Sequence, residues 1–145
     1  MEEFLKATGK LDIILKDSDG NIKQELHVPN LVVKVGKNFI ASRMVGTSSP
    51  AMSHMAIGTN TTAPESANTS LGKEIARVAL DSVTATANTV SYSATFPAGT
   101  GSGAITEAGI FNAASSGTLL CRTTFAVVSK SDSDSLTIKW NVTIS

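Results

Sequence analysis

The chain has 145 residues, within the range of roughly 100–200 residues that one domain usually spans. It is 41% hydrophobic and only 17% charged, with twelve basic residues balanced by twelve acidic ones, which excludes a disordered chain and a broad basic surface for nucleic acid. No run of about 18–20 apolar residues is present, which excludes a membrane-spanning helix.

The first predicted elements form a β-hairpin. Apolar and polar residues alternate over 11–15, which is the period of a strand. The Asp-Gly pair within 17–21 favours a hairpin turn, and 22–28 is the expected return strand. Pro29-Asn30 is predicted to interrupt it, and the short apolar, β-branched run 31–35 to form another strand.

The central part of the chain changes its period. Apolar residues in 36–45 recur at near-helical spacing, which predicts one short helix. A short apolar segment at 52–57 is followed by a polar loop at 59–70, of the length at which loops often carry function. Residues 71–77 fit either one helical turn or the start of a strand.

The second half predicts three strands by alternation, at 90–96, 119–127 and 136–144, and a fourth strand at 105–111, separated by glycine-rich or polar turns. Several short strands with turns between them indicate an all-β fold. We therefore expect an antiparallel, jelly-roll-like β-sandwich with one short helix. Residues 1–10 are predicted to be an amino-terminal arm and 11–145 a single β-sandwich domain.

Few side chains are suited to catalysis or metal binding. His27 and His54 are the only histidines, and neither stands in a nucleophile motif. Cys121 alternates with apolar positions, which favours a buried, unreactive thiol. The two histidines and one cysteine have no zinc-ligand spacing. We expect no enzymatic activity, no metal and no cofactor.

Glu107 and Arg122 are charged residues in the lightly charged second half of the chain. Charges among apolar residues are usually paired, and these two lie in predicted neighbouring strands. One interpretation is a cross-strand ion pair that fixes strand register. The other is a salt bridge across an interface between subunits. Phe4 and Leu5, apolar residues of the predicted arm, are further candidates for interface contacts.

Three segments carry a resemblance to a known family. They are Met-Ala-Ile-Gly-Thr-Asn-Thr-Thr-Ala-Pro at 55–64, Leu-Gly-Lys-Glu-Ile-Ala-Arg at 71–77 and Ala-Ile-Thr-Glu-Ala-Gly-Ile-Phe-Asn at 104–112. Their order, after Asn-Leu-Val-Val at 30–33 and the block 36–44, resembles the amino-terminal collar-attachment region of phage tail fibres and small structural proteins of tailed bacteriophages. The resemblance implies a virion protein.

Within that class we expect a capsid decoration (cement) protein on the outer head surface. Its expected partners are the major capsid protein and further copies of itself, in a trimer, with no nucleic acid or membrane. Serine and threonine, at 18 and 17 residues, suit flat contacts that are repeated by symmetry. The alternative is a tail-associated subunit of the tip, baseplate or fibre adaptor that binds tail proteins. A host-surface glycan-binding module is a third possibility. We expect the protein to be made in the host cytoplasm before it is incorporated into the virion.

Overall fold

The computed structural model describes residues 6–46 and 49–145. They form one helix, α1 (Lys34–Met44), and nine strands. The strands are β1 (Ala7–Lys16), β2 (Ile22–Val32), β3 (His54–Gly58), β4 (Glu74–Ala79), β5 (Ser82–Thr86), β6 (Thr89–Phe96), β7 (Gly103–Phe111), β8 (Leu119–Lys130) and β9 (Ser135–Ile144). No helix among these residues is long and apolar enough to span a membrane.

All nine strands belong to one curled antiparallel sheet, in the order β4-β3-β7-β8-β2-β1-β9-β6-β5. Strand β2 connects its two halves, because it pairs with β1 as far as Asn30 and then with β8 through Leu31 and Val32. Buried side chains from both halves pack into one core. The prediction of an antiparallel all-β fold with one short helix is confirmed, and the two layers of the sandwich are two halves of a single sheet.

The main core follows the predicted alternation. Strand β1 contributes Leu11, Ile13 and Leu15, and the last strand contributes alternate residues from Leu136 to Val142. Trp140 is the largest fully buried side chain of this group. The hydrophobic effect therefore fixes which face of each strand points inward, because a shift of one residue would expose every apolar side chain.

Strand β7 is buried on both faces. Ile105, Ala108 and Ile110 join the main core, and Phe111 joins a second cluster with Leu71 and other buried residues. This second cluster lies on the opposite face of β7, beneath the long loop between β3 and β4 and the start of α1. Double burial explains why β7 does not alternate cleanly in sequence.

Strand β2 differs from its prediction. It is continuous through Pro29-Asn30, so residues 31 and 32 belong to β2 and not to a separate strand, and 34 and 35 already belong to α1. Pro29 lies where β2 passes from β1 to β8, and its carbonyl oxygen accepts a hydrogen bond of 2.7 Å from the Thr123 hydroxyl. The missing N–H of proline is tolerated at this change of partner.

Other boundaries also shift. Helix α1 begins at Lys34, two residues before the predicted start, with Gly36 packed against the backbone of Leu120. Of the two interpretations of 71–77, the start of a strand is confirmed, because β4 begins at Glu74. Residues 7–10 of the predicted arm lie in β1. Strand β5, at which the sequence predicts no element, pairs with β6 through a two-residue turn.

Candidate functional site

The long loop between β3 and β4, residues 59–73, lies over the outer face of the sheet beside β7 and β8. Its two ends meet because β3 and β4 are paired antiparallel neighbours, with Gly58 opposite Glu74. Strand β7 is the other neighbour of β3 and places Glu107 opposite Gly58. The three sequence segments that carry the family resemblance therefore converge at one place.

Glu107 binds both ends of this loop. Its Oε2 accepts hydrogen bonds from the backbone N–H groups of Asn60 and Lys73, at 3.0 and 2.7 Å. Its Oε1 accepts one from the N–H of Gly72, at 2.8 Å. The side chain is completely buried. One buried carboxylate thus accepts hydrogen bonds from three N–H groups at the two ends of the loop.

Arg122 on β8 holds the middle of the loop. Its Nε and Nη2 donate to Glu107 Oε1 at 3.2 and 3.1 Å. Its Nη1 donates to Asn68 Oδ1 at 3.1 Å, and Nη2 also donates to the Thr62 carbonyl oxygen at 3.0 Å. Only 2% of the Arg122 side chain is exposed. The planar guanidinium therefore joins the carboxylate and two points of the loop in one network.

This network, Glu107 with Arg122 and their loop partners, is called the loop anchor below. Two buried opposite charges cost much desolvation, which is offset only by close contact and full hydrogen bonding. Gly58 makes the close contact possible, because an added Cβ would lie 2.5 Å from Glu107 Oε2. The loop anchor converts a 15-residue polar loop into a surface of fixed shape.

A shallow polar pocket of about 430 Å³ lies in the loop surface. Arg122 forms part of it, and the remaining lining residues are Asn60, Thr62, Ala67, Asn68, Thr69, Ser70, Leu71 and Gly72. Hydroxyl, amide and backbone groups dominate this lining. Such a surface is suited to hydrogen bonding with a polar partner.

Arg77 of β4 makes several polar and aromatic contacts next to the loop. It forms an ion pair with Glu74, with Nη2 and Oε1 2.6 Å apart, and its guanidinium lies 3.8 Å from the centre of the Phe111 ring. Its Nη1 also donates to the carbonyl oxygens of Ala113 and Ser116. These contacts connect the edge strand β4 to the turn that follows β7.

A second concave surface lies between α1 and the paired ends of β1 and β9. It is a groove of about 480 Å³ whose apolar lining includes Ile40, Met44 and Ile144. Met44 is 83% exposed. The predicted interface residues Phe4 and Leu5 lie outside the described residues.

The cysteine and the two histidines considered for catalysis each make ordinary packing or hydrogen-bonding contacts. Cys121 is fully buried, as its alternation predicts, and burial raises the pKa of its thiol. A hydrogen bond to Asp12 raises the pKa of His27, and the His54 ring lies 2.8 Å from the Ser53 hydroxyl. Among the described residues, no group of three His, Cys, Asp or Glu side chains is arranged to hold a metal ion.

The ion pair expected between Glu107 and Arg122 forms within one chain. Their role in an interface between subunits stays a prediction, as does that of Phe4 and Leu5. Sequence reasoning missed Asn60, Asn68 and Gly72 as partners of the pair. Their only signal was their position in a long polar loop, which does not indicate which distant side chain the loop contacts.

Comparison with protein-family models gives a match over residues 27–143 to the family described as phage tail-collar fibre protein, N-terminal. The match includes the loop anchor and the three converging segments, and it confirms the resemblance seen in the sequence. Neither curated proteins nor solved structures gave a match.

Proposed function

Because the chain belongs to the phage tail-collar fibre protein N-terminal family, it is a structural component of the phage virion, and we propose that it is a tail-associated subunit. It works in the tip, baseplate or fibre attachment by binding tail proteins and not by catalysis. The family match over residues 27–143 carries this proposal. That match gives no support to capsid decoration or to a position on the outer head surface, the expectation from sequence.

The loop surface is the proposed contact with the tail. A loop fixed before binding loses little conformational entropy when a partner docks, which favours a specific complex. The loop anchor supplies this order through a buried carboxylate and a buried guanidinium. Within 59–73 the charged residues are Glu65 and Lys73, so the loop surface is polar and nearly neutral. A partner with matching hydrogen-bonding groups fits it.

The position in the particle is tested by site-specific labelling. Ser18 is exposed in the turn between β1 and β2, far along the chain from the loop, and Cys121 is buried. Particles that carry Ser18→Cys are treated with maleimide-gold and imaged, with wild-type particles as the background control. We expect the additional label on the tail. Label on the head, or no chain in the particle, would contradict the proposal.

The role of the loop is tested by a change at its surface. Ala67 is exposed on the pocket rim, so Ala67→Arg adds bulk and charge without disturbing the core. Ser18→Arg is the matched control on a different exposed turn. We expect Ala67→Arg to lower incorporation into particles at least tenfold, with unchanged thermal unfolding, and Ser18→Arg to incorporate normally. Normal incorporation of Ala67→Arg would exclude this part of the loop from the contact.

A further inference from the structure

Strand β5 leaves one edge of the sheet open. It is the last strand in the sheet order and pairs with β6 among the described strands. All five of its residues, Ser-Val-Thr-Ala-Thr, are exposed, and none is charged or proline. Natural edge strands usually carry a charge, a proline or a bulge that prevents pairing with another chain. Residues 82–86 therefore lack the charge and the proline that usually prevent such pairing.

The backbone of β5 offers hydrogen-bonding groups on its free side. The two-residue turn Ala87-Asn88 joins β5 to β6, so Thr86 and Thr89 close the hairpin as a hydrogen-bonded pair. Hydrogen-bonded and non-hydrogen-bonded pairs alternate along an antiparallel ladder. The N–H and C=O groups of Val83 and Ala85 therefore point away from β6, towards solvent.

The surroundings of this edge are nearly free of charge. Lys139 is the only charged residue in strands β5, β6 and β9. Hydroxyl and amide side chains cover their outer face and bond across strands, as between Thr89 and Thr143 at 3.0 Å and between Ser91 and Asn141 at 2.7 Å. The opposite edge of the sheet, β4, carries the Glu74–Arg77 ion pair instead.

We propose that β5 pairs antiparallel with β5 of a second copy of this chain, about a twofold axis at Thr84. In this register Val83 is opposite Ala85 of the second copy, and their free backbone groups exchange hydrogen bonds. Ser82 is opposite Thr86, and the two Thr84 side chains face each other as a non-hydrogen-bonded pair. The two sheets then continue into each other across the contact.

A second copy fits this edge because β5 is exposed and uncharged, so that no like charges are brought opposite each other when it meets its own copy. The register centred on Thr84 pairs all five residues and keeps hydroxyls on one face and Val83 and Ala85 on the other. Asp81, the acidic residue that immediately precedes β5, is separated from its copy by six residue steps, about 20 Å at roughly 3.3 Å per residue. This distance exceeds the screening length of about 8 Å at physiological salt.

Cysteine substitution tests the register. Facing positions of a non-hydrogen-bonded pair have Cβ atoms about 4.5–5.5 Å apart, close enough for a disulfide after a small adjustment. Thr84→Cys is compared with Val83→Cys and Ala85→Cys, which are exposed on the same strand but do not face their own copies. The wild type is a further control, because its Cys121 is buried. The assay uses about 1 mM protein, since interfaces below roughly 1,200 Å² are usually weak.

We expect Thr84→Cys to form disulfide-linked dimers under mild oxidation at least fivefold faster than Val83→Cys or Ala85→Cys alone. A mixture of Val83→Cys and Ala85→Cys chains should give the heterodimer at least fivefold faster than either variant dimerises alone. Smaller differences, or faster dimerisation of a single off-axis variant, would overturn the proposed pairing. The twofold pairing joins two copies only, so the trimer expected from sequence needs a different contact in either case.

Discussion

The loop anchor predicts a large loss of stability when its charge balance is broken. Glu107→Gln retains the size of the side chain but removes the negative charge and turns one acceptor oxygen into an NH₂ group. Oε2 accepts from Asn60 and Lys73, and Oε1 accepts from Gly72 and Arg122. Whichever oxygen the amide replaces, at least two donors then face another donor and lose their partner.

The magnitude follows from those lost bonds. Hydrogen bonds to a charged group each contribute about 1.5–3 kcal/mol, so two of them amount to about 3–6 kcal/mol. Leaving the buried Arg122 without its counter-charge is an independent way to count the same loss, and gives about 3–5 kcal/mol. We therefore expect Glu107→Gln to reduce the free energy of unfolding by about 3–5 kcal/mol. For a domain of this size, that lowers Tm by about 6–20 °C.

The assay is urea unfolding followed by circular dichroism, with Glu65→Gln as the control because Glu65 is an exposed carboxylate of the same loop. The control should change stability by no more than about 0.5 kcal/mol. Arg122→Met should be similarly destabilising, and the double variant Glu107→Gln/Arg122→Met less so than the sum, because it leaves no unpaired buried charge. A loss below about 1 kcal/mol for Glu107→Gln, or strict additivity, would refute the loop anchor.

Three further outcomes are expected. Gly58→Ala should cost about 1–3 kcal/mol, because its Cβ would clash with both the Lys73 carbonyl oxygen and Glu107 Oε2; a loss below about 0.5 kcal/mol would contradict this close packing. A hydrogen bond from Lys23 lowers the pKa of Asp134 to about 2. The stabilisation from this pair is present above about pH 3.9, the pKa of an aspartate in the unfolded chain, and is lost as the pH falls towards 2. Lys23→Gln should therefore make the free energy of unfolding depend less on pH in this acid range; an unchanged pH dependence would contradict the pairing. Cys121 should react with a thiol reagent only after unfolding; rapid labelling of the folded chain would refute its burial.

Much of the fold could be predicted from local patterns. The alternation in β1, β6 and β9 is encoded within each strand, since a side-chain period of two marks a face as apolar or polar without reference to the rest of the chain. The charge pair Glu107–Arg122 could also be predicted, because isolated charges in apolar strands need a partner. Strand β5 could not be predicted, because its own sequence has little pattern and it forms a strand by pairing with β6.

The sequence by itself determined an all-β chain, its principal core residues and its family. Only the tertiary structure decided that β2 passes from one half of the sheet to the other, and that Glu107 binds both ends of a loop more than 30 residues earlier in the chain. The physical reason is that periodicity and turn signals are local properties. Hydrogen bonds between a buried side chain and a distant backbone depend on which strands become neighbours, and the whole chain decides that together.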